Sequence, residues 1–137
     1  MNELQIVNED SSFYICFHDI KPYANGTLQF RSLLDMRTTI FNVHVDCNLY
    51  IHDLKQWRDD LLAMLQWGYQ EVVFAPLGEF LSITLRLESD DSISVYGNIS
   101  NTSLPQSTLE FYNTLSRDDV QSLYEQLDSL LLVHNMR

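Results

Sequence analysis

The run Phe41-Asn42-Val43-His44-Val45-Asp46-Cys47-Asn48-Leu49 alternates apolar and polar residues without a break, and the chain then changes period. Phe41, Val43, Val45, Cys47 and Leu49 point one way, and Asn42, His44, Asp46 and Asn48 the other. A strand with one buried face reads like this. Beyond it Leu54, Trp57, Leu61, Met64 and Leu65 recur at helical spacing. Asp53 is placed as an N-cap, with Gln56 at the capping-box position, and Gly68 as a C-terminal stop. The spacing predicts a helix over 54–67. A strand that runs into an amphipathic helix makes this an α+β chain.

On the N-terminal side, Phe13 to His18 reads as the first strand. Lys21-Pro22-Tyr23-Ala24-Asn25-Gly26 carries turn chemistry, and Thr27 to Leu34 alternates again before a polar turn over Asp35 to Thr38. On the C-terminal side, short strand signals lie at Glu71 to Ala75, Phe80 to Glu88, Ile93 to Ser100 and around Leu109 to Leu115. Ser89-Asp90-Asp91-Ser92 is a turn, and Asn101 to Gln106, with Pro105, a longer loop. Ser116 and Asp119 suit the start of a second helix, whose apolar stripe is Val120, Leu123, Leu127, Leu130 and Leu131. No internal repeat or linker is visible, so the chain reads as a single domain over 1–137. Short turns favour antiparallel neighbours. The expected architecture is one antiparallel sheet of about six to seven strands with two amphipathic helices packed on one face. The other face would then carry Gln29, Arg31, Asn42, His44, Asp46 and Asn48 from the first half. From the second half it would carry Ser82, Thr84, Arg86, Ser94, Tyr96, Asn98, Glu110, Tyr112 and Thr114.

The charge balance separates classes of partner. Eight Lys and Arg stand against 19 Asp and Glu, a formal net charge of −11. Such a field repels phosphate backbones and anionic lipid, so neither nucleic acid nor membrane is expected as a partner. It either serves solubility or speeds encounter with a basic protein. No apolar run reaches the ~18 residues of a membrane span. The acidic start, Met1-Asn2-Glu3, has no signal-peptide pattern, so a cytoplasmic protein is expected. Cys16 and Cys47 read as free buried thiols, with a bridge between neighbouring strands as the alternative.

Motifs for chemistry are missing. Gly26, Gly68, Gly78 and Gly97 are scattered, and none opens a phosphate-binding loop. His44 and Asp46 share a strand face with His52 and Asp53 just beyond, but first-row metals need several ligands at set geometry, so no metal or cofactor is assigned. Cys16 and His18 also share a face, with nothing in the sequence to mark activation. The Asp doublets at 59–60, 90–91 and 118–119 are neighbours that do not face each other. No catalytic residue is assigned and no enzyme is expected. Tyr96 and Tyr112 lie on the polar face, where they either pair across strands or anchor a partner. The candidate partner-binding residues are Asp46, Asn48, Asp90, Asp91, Tyr96, Glu110 and Tyr112.

Three stretches carry a family resemblance. They are Phe41 to Val45 running into Leu54-Lys55-Gln56-Trp57, the block from Leu81-Ser82-Ile83-Thr84-Leu85 to Val95-Tyr96-Gly97-Asn98-Ile99, and Leu109-Glu110-Phe111 with the capped turn Ser116-Arg117-Asp118-Asp119. In pattern and order, from about Gly26 onward, the chain resembles the WapI-type immunity proteins of bacterial polymorphic toxin systems. Ser116-Arg117-Asp118 departs from the Asp-Gln-Thr-like turn of that family. The resemblance implies stoichiometric occlusion of a cognate toxin, typically a basic nuclease, and the free chain is expected to be a monomer. The alternative is an acidic secretion chaperone that holds an effector segment.

Overall fold

A computed structural model describes residues 3–22, 29–76, 80–101 and 107–133. The parts of the expected 21–26 turn and 101–106 loop that fall at 23–26 and 102–106 lie outside these residues, as do Gly78 and His134. The described chain runs β1 (Leu4–Val7), β2 (Tyr14–Pro22), β3 (Gln29–Arg37), β4 (Asn42–Tyr50), α1 (Ile51–Trp67), β5 (Glu71–Phe74), β6 (Leu81–Leu87), β7 (Ile93–Ser100), β8 (Thr108–Leu115) and α2 (Arg117–Val133). The α+β class and the antiparallel pairing are as expected, but the single sheet is not. The eight strands form two four-stranded sheets, each in sequence order, β1-β2-β3-β4 and β5-β6-β7-β8. Each sheet is followed by a 17-residue helix. The chain is therefore a repeated ββββα unit, although the sequence shows no repeat. Backbone geometry repeats here while side-chain identity does not.

Several boundaries also move. β1 is a strand that the sequence reading missed, because only Leu4 and Ile6 of its four residues face inward. The expected turn at Asp35–Thr38 is strand as far as Arg37, so Asp35 pairs with His44. The helix α1 starts at Ile51, with Tyr50 as the cap position and no side-chain cap, so Asp53 falls inside the first turn. At the other end Gly68 takes a left-handed φ of 71° and donates its N–H to the Met64 carbonyl, the stop read from the sequence. The capping box at Ser116 is complete. Ser116 N–H donates to Asp119 Oδ2 at 2.8 Å, and Asp119 N–H donates to Ser116 Oγ at 3.2 Å.

The two helices pack on each other, and each also lies against a strand of the other unit. The chain's first helix lies against β5 and the end of β4, and α2 lies against β1 and α1. Each helix therefore closes onto the first strand of the other unit. Trp57 of α1 stacks on Phe74 of β5, with ring centroids 4.0 Å apart. Phe17 of β2 meets the same Phe74 edge-on at 6.3 Å, and Phe13 meets Phe111 at 5.6 Å. The inner faces of both sheets thus meet in one core. The two units are further tied where Arg117 donates to the Leu65 carbonyl at 2.7 Å. At Gly97 the backbones of β7 and β6 approach so closely that a Cβ would strike the Ser82 carbonyl.

The first edge strand is covered by a side chain. The Gln5 N–H donates to Gln126 Oε1 at 2.7 Å, and Gln126 Nε2 donates to the Gln5 carbonyl at 3.2 Å. One amide of α2 thereby takes the place of a neighbouring strand, which blunts an edge that would otherwise pair with another chain.

Candidate functional site

Among the described residues no helix covers the outer face of either sheet, and each face holds a different group of side chains. On the second sheet, Tyr96 and Tyr112 are direct cross-strand partners. Their rings stack at 6.1 Å between centroids, 19° from parallel, and Tyr112 is 69% exposed. Ser94 Oγ donates to Glu88 Oε1 at 2.9 Å, so its one proton is committed. The Tyr112 hydroxyl, 3.1 Å from Ser94 Oγ, is then the donor in that pair. A relay from phenol to hydroxyl to carboxylate holds the exposed ring in place. Glu110 and Asn98 face each other across β7 and β8 beside the tyrosines, and together they line a shallow open groove.

Five of the seven candidate residues belong to this sheet. Tyr96, Glu110 and Tyr112 are together. Asp90 and Asp91 sit at its end, in the β6–β7 turn, where they line a cleft with Glu9, Asp10 and Asp119. The carboxylate of Asp90 accepts from the Ser92 hydroxyl at 2.6 Å and the Ser92 N–H at 3.1 Å, which holds its pKa below the usual carboxylate value. Asp91 takes a left-handed φ of 70°. The remaining two, Asp46 and Asn48, lie on the other sheet, in a shallow groove with Asp19 and Arg31. They are not part of the tyrosine face, because the expected single sheet is two. Ser94 and Thr84 are on the outer side but buried under neighbouring side chains.

The outer face of the first sheet carries a polar cluster that sequence reading did not assemble. Its centre is Asp35, only 3% exposed. Asp35 Oδ2 accepts from Arg37 at 2.8 Å and lies 3.5 Å from His18 Nε2, while its Oδ1 lies 3.4 Å from His44 Nδ1. The other ring nitrogen of His18, Nδ1, lies 3.1 Å from Glu3 Oε2 and 3.5 Å from Cys16 Sγ. The Tyr14 hydroxyl is 3.4 Å from His18 Nε2. Burial pushes the Cys16 thiol up to about 11, with the charges of Glu3 and Asp35 adding to the rise. Burial also raises the Tyr14 hydroxyl. The Cys16–His18 pair was visible as two residues of one strand face. Asp35 was hidden because its segment resembled a turn, and Glu3 because β1 is short. His44 pairs with Asp35, near the start of β4, whereas His52 lies past its other end, so the His44, Asp46 and His52 set does not converge. Cys16 and Cys47 are both free. They stand on β2 and β4 with β3 between them, which settles the alternative of a bridge.

No family model and no curated protein matches the chain. Solved structures do. The chain is similar to Trypanosoma brucei MRP1/MRP2 with a TM-score of 0.52, at 10% identity, over 97% of this chain and 84% of that one. It is also similar to a guide-RNA-binding protein complex bound to a guide RNA, with a TM-score of 0.50, at 11% identity, over 97% of this chain and 89% of that one. These likenesses bear on the fold. They also correct one expectation. Nucleic acid was set aside on charge alone, yet a protein of this fold has been solved with RNA bound. Net charge does not exclude that class of partner for the fold. Among the described residues, no helix is long and apolar enough to cross a membrane.

Proposed function

We propose that the chain is a cytoplasmic immunity-type protein that binds a basic toxin domain through the outer face of its second sheet and blocks it by occlusion. The observation that carries this reading is the exposed Tyr96–Tyr112 stack, with Glu110 beside it and Glu88 holding it in place. Tyrosine supplies rigid contact area at small entropic cost, and buried aromatic anchors dominate interface energetics. The net charge of −11 would steer a basic partner toward the complex. The resemblance in pattern to WapI-type immunity proteins supplies the class of partner.

A second reading places single-stranded nucleic acid on the same tyrosines. The fold shared with the RNA-bound complex favours it, and aromatic platforms stack bases of any sequence. One experiment separates the two. The full chain is co-expressed with a basic nuclease-toxin domain of the polymorphic-toxin class, and growth is scored. In parallel, purified chain is titrated with a single-stranded RNA oligonucleotide. Protection from growth arrest that Tyr112→Ala abolishes supports the immunity reading. RNA binding without protection replaces it with the second, and neither activity refutes both.

A further inference from the structure

The geometry of the first sheet's outer face points to a divalent-metal site made by Glu3, Cys16 and His18, with zinc as the ion whose chemistry it fits. The three side chains each offer one donor atom, and these atoms lie within 4.8 Å of one another. In a tetrahedral zinc site, metal–ligand lengths of about 2.3 Å for sulfur and about 2.0–2.1 Å for nitrogen and oxygen put the ligand atoms roughly 3.3–3.6 Å apart. The observed separations are 3.5 Å from Cys16 Sγ to His18 Nδ1 and 3.1 Å from His18 Nδ1 to Glu3 Oε2. A thiolate with an imidazole selects zinc over the oxygen-loving magnesium and calcium.

The independent observation is Asp35. Its carboxylate is almost wholly buried beside the three donors, with Oδ1 3.4 Å from His44 Nδ1 and Oδ2 held by Arg37. Its Oδ2 faces His18 Nε2, the ring nitrogen turned away from Glu3 and Cys16. A histidine that binds metal through one nitrogen donates its other N–H to a carboxylate in most metal sites, and this second partner fixes the tautomer. Here one tautomer, protonated on Nε2, presents a bare Nδ1 to the ion and an N–H to the Tyr14 hydroxyl and Asp35 Oδ2, 3.4 and 3.5 Å away. Arg37 in turn anchors Asp35 Oδ2 at 2.8 Å. Glu3, whose side chain is 48% exposed, is the ligand that can swing aside to admit an ion, and a water completes the tetrahedron. On binding, the Cys16 thiol gives its proton to solvent and the thiolate sulfur donates to the metal.

The test uses the full chain, freed of metal by a chelator and titrated with cobalt(II) as the probe. The expected result is saturable binding with the strong visible bands of tetrahedral cobalt and a near-ultraviolet thiolate-to-cobalt band. Added zinc should remove both. Cys16→Ser should abolish the thiolate band. Cys47→Ser, on the opposite side of the sheet, should leave it intact. His18→Gln removes a ligand and should abolish tight binding. Asp35→Asn removes only the outer carboxylate and should weaken affinity about 10- to 100-fold. Circular dichroism of each variant checks that it folds. Binding without a thiolate band, a band that survives Cys16→Ser in a folded variant, or no saturable binding by the parent chain overturns the proposal.

Discussion

Removing the Gln126 amide gives the sharpest test of how this fold closes. Two of its three hydrogen bonds join residues 121 apart in sequence and cover the N–H and the carbonyl of Gln5, while the third, to Ser122 Oγ, stays within α2. A typical bond of this kind is worth about 1 kcal/mol net, and more when the orphaned partner cannot reach water. The site is half buried, so water replaces part of what Gln126→Ala removes, and a loss of about 2 kcal/mol is expected. Near the melting point, unfolding entropy is about 2.1 cal/mol/K per residue, or about 0.29 kcal/mol/K for 137 residues. The melting temperature should therefore fall by about 7 °C. Gln126→Met keeps the volume but offers no partner and shuts water out, so it should cost at least as much as alanine. Denaturant unfolding gives the free energies, and hydrogen exchange reads the Gln5 amide directly. An unprotected β1 edge should also raise self-association in light scattering. If both variants stay within about 0.5 kcal/mol of the parent, or the Gln5 amide exchanges no faster, the edge is held by packing and not by the Gln126 amide.

Three further outcomes follow from the same geometry. Gly97→Ala drives a Cβ into the Ser82 carbonyl, and because backbone meets backbone the loss should be at least about 2 kcal/mol in denaturant unfolding. Tyr112→Ala should leave stability within about 1 kcal/mol, since the ring is mostly exposed, but should weaken a toxin complex by about 2 kcal/mol or more in calorimetry. The thiols of Cys16 and Cys47, at 9.0 when unperturbed, are pushed up to about 11 and about 12 by burial. Ionisation thus favours the unfolded chain. The stability held by these neutral thiols is whole below pH 9, falls as pH rises beyond it and levels off above about 12. A Cys16→Ser, Cys47→Ser double variant should show a shallower alkaline fall in its denaturation midpoint.

How far the sequence reaches is clearest in particular elements. Asn42 to Leu49, Ile93 to Ser100 and the two apolar helix stripes were legible because alternation and helical spacing are local consequences of burying one face, whereas Phe41, read with the inner face, lies before β4 and is exposed. The Ser116–Asp119 box and the Gly68 stop were legible because caps are satisfied within a few residues. The sheet face of Tyr96, Glu110 and Tyr112 was legible for the same reason, since alternation assigns a face to each residue. The break between β4 and β5 was not. Strand signals say nothing about which strands pair, and the division into two sheets depends on where α1 packs.

The sequence alone therefore determined most of the element types, though not β1 or the end of β3, the antiparallel pairing of neighbours and the aromatic, acidic character of one exposed face. These rest on interactions between residues close in the chain. Tertiary structure decided that there are two sheets, that Asp46 and Asn48 leave the tyrosine face, and that Glu3, Cys16, His18 and Asp35 meet on the other sheet. These depend on strand register and on one helix closing over the opposite unit. Neither leaves a periodic trace in the sequence.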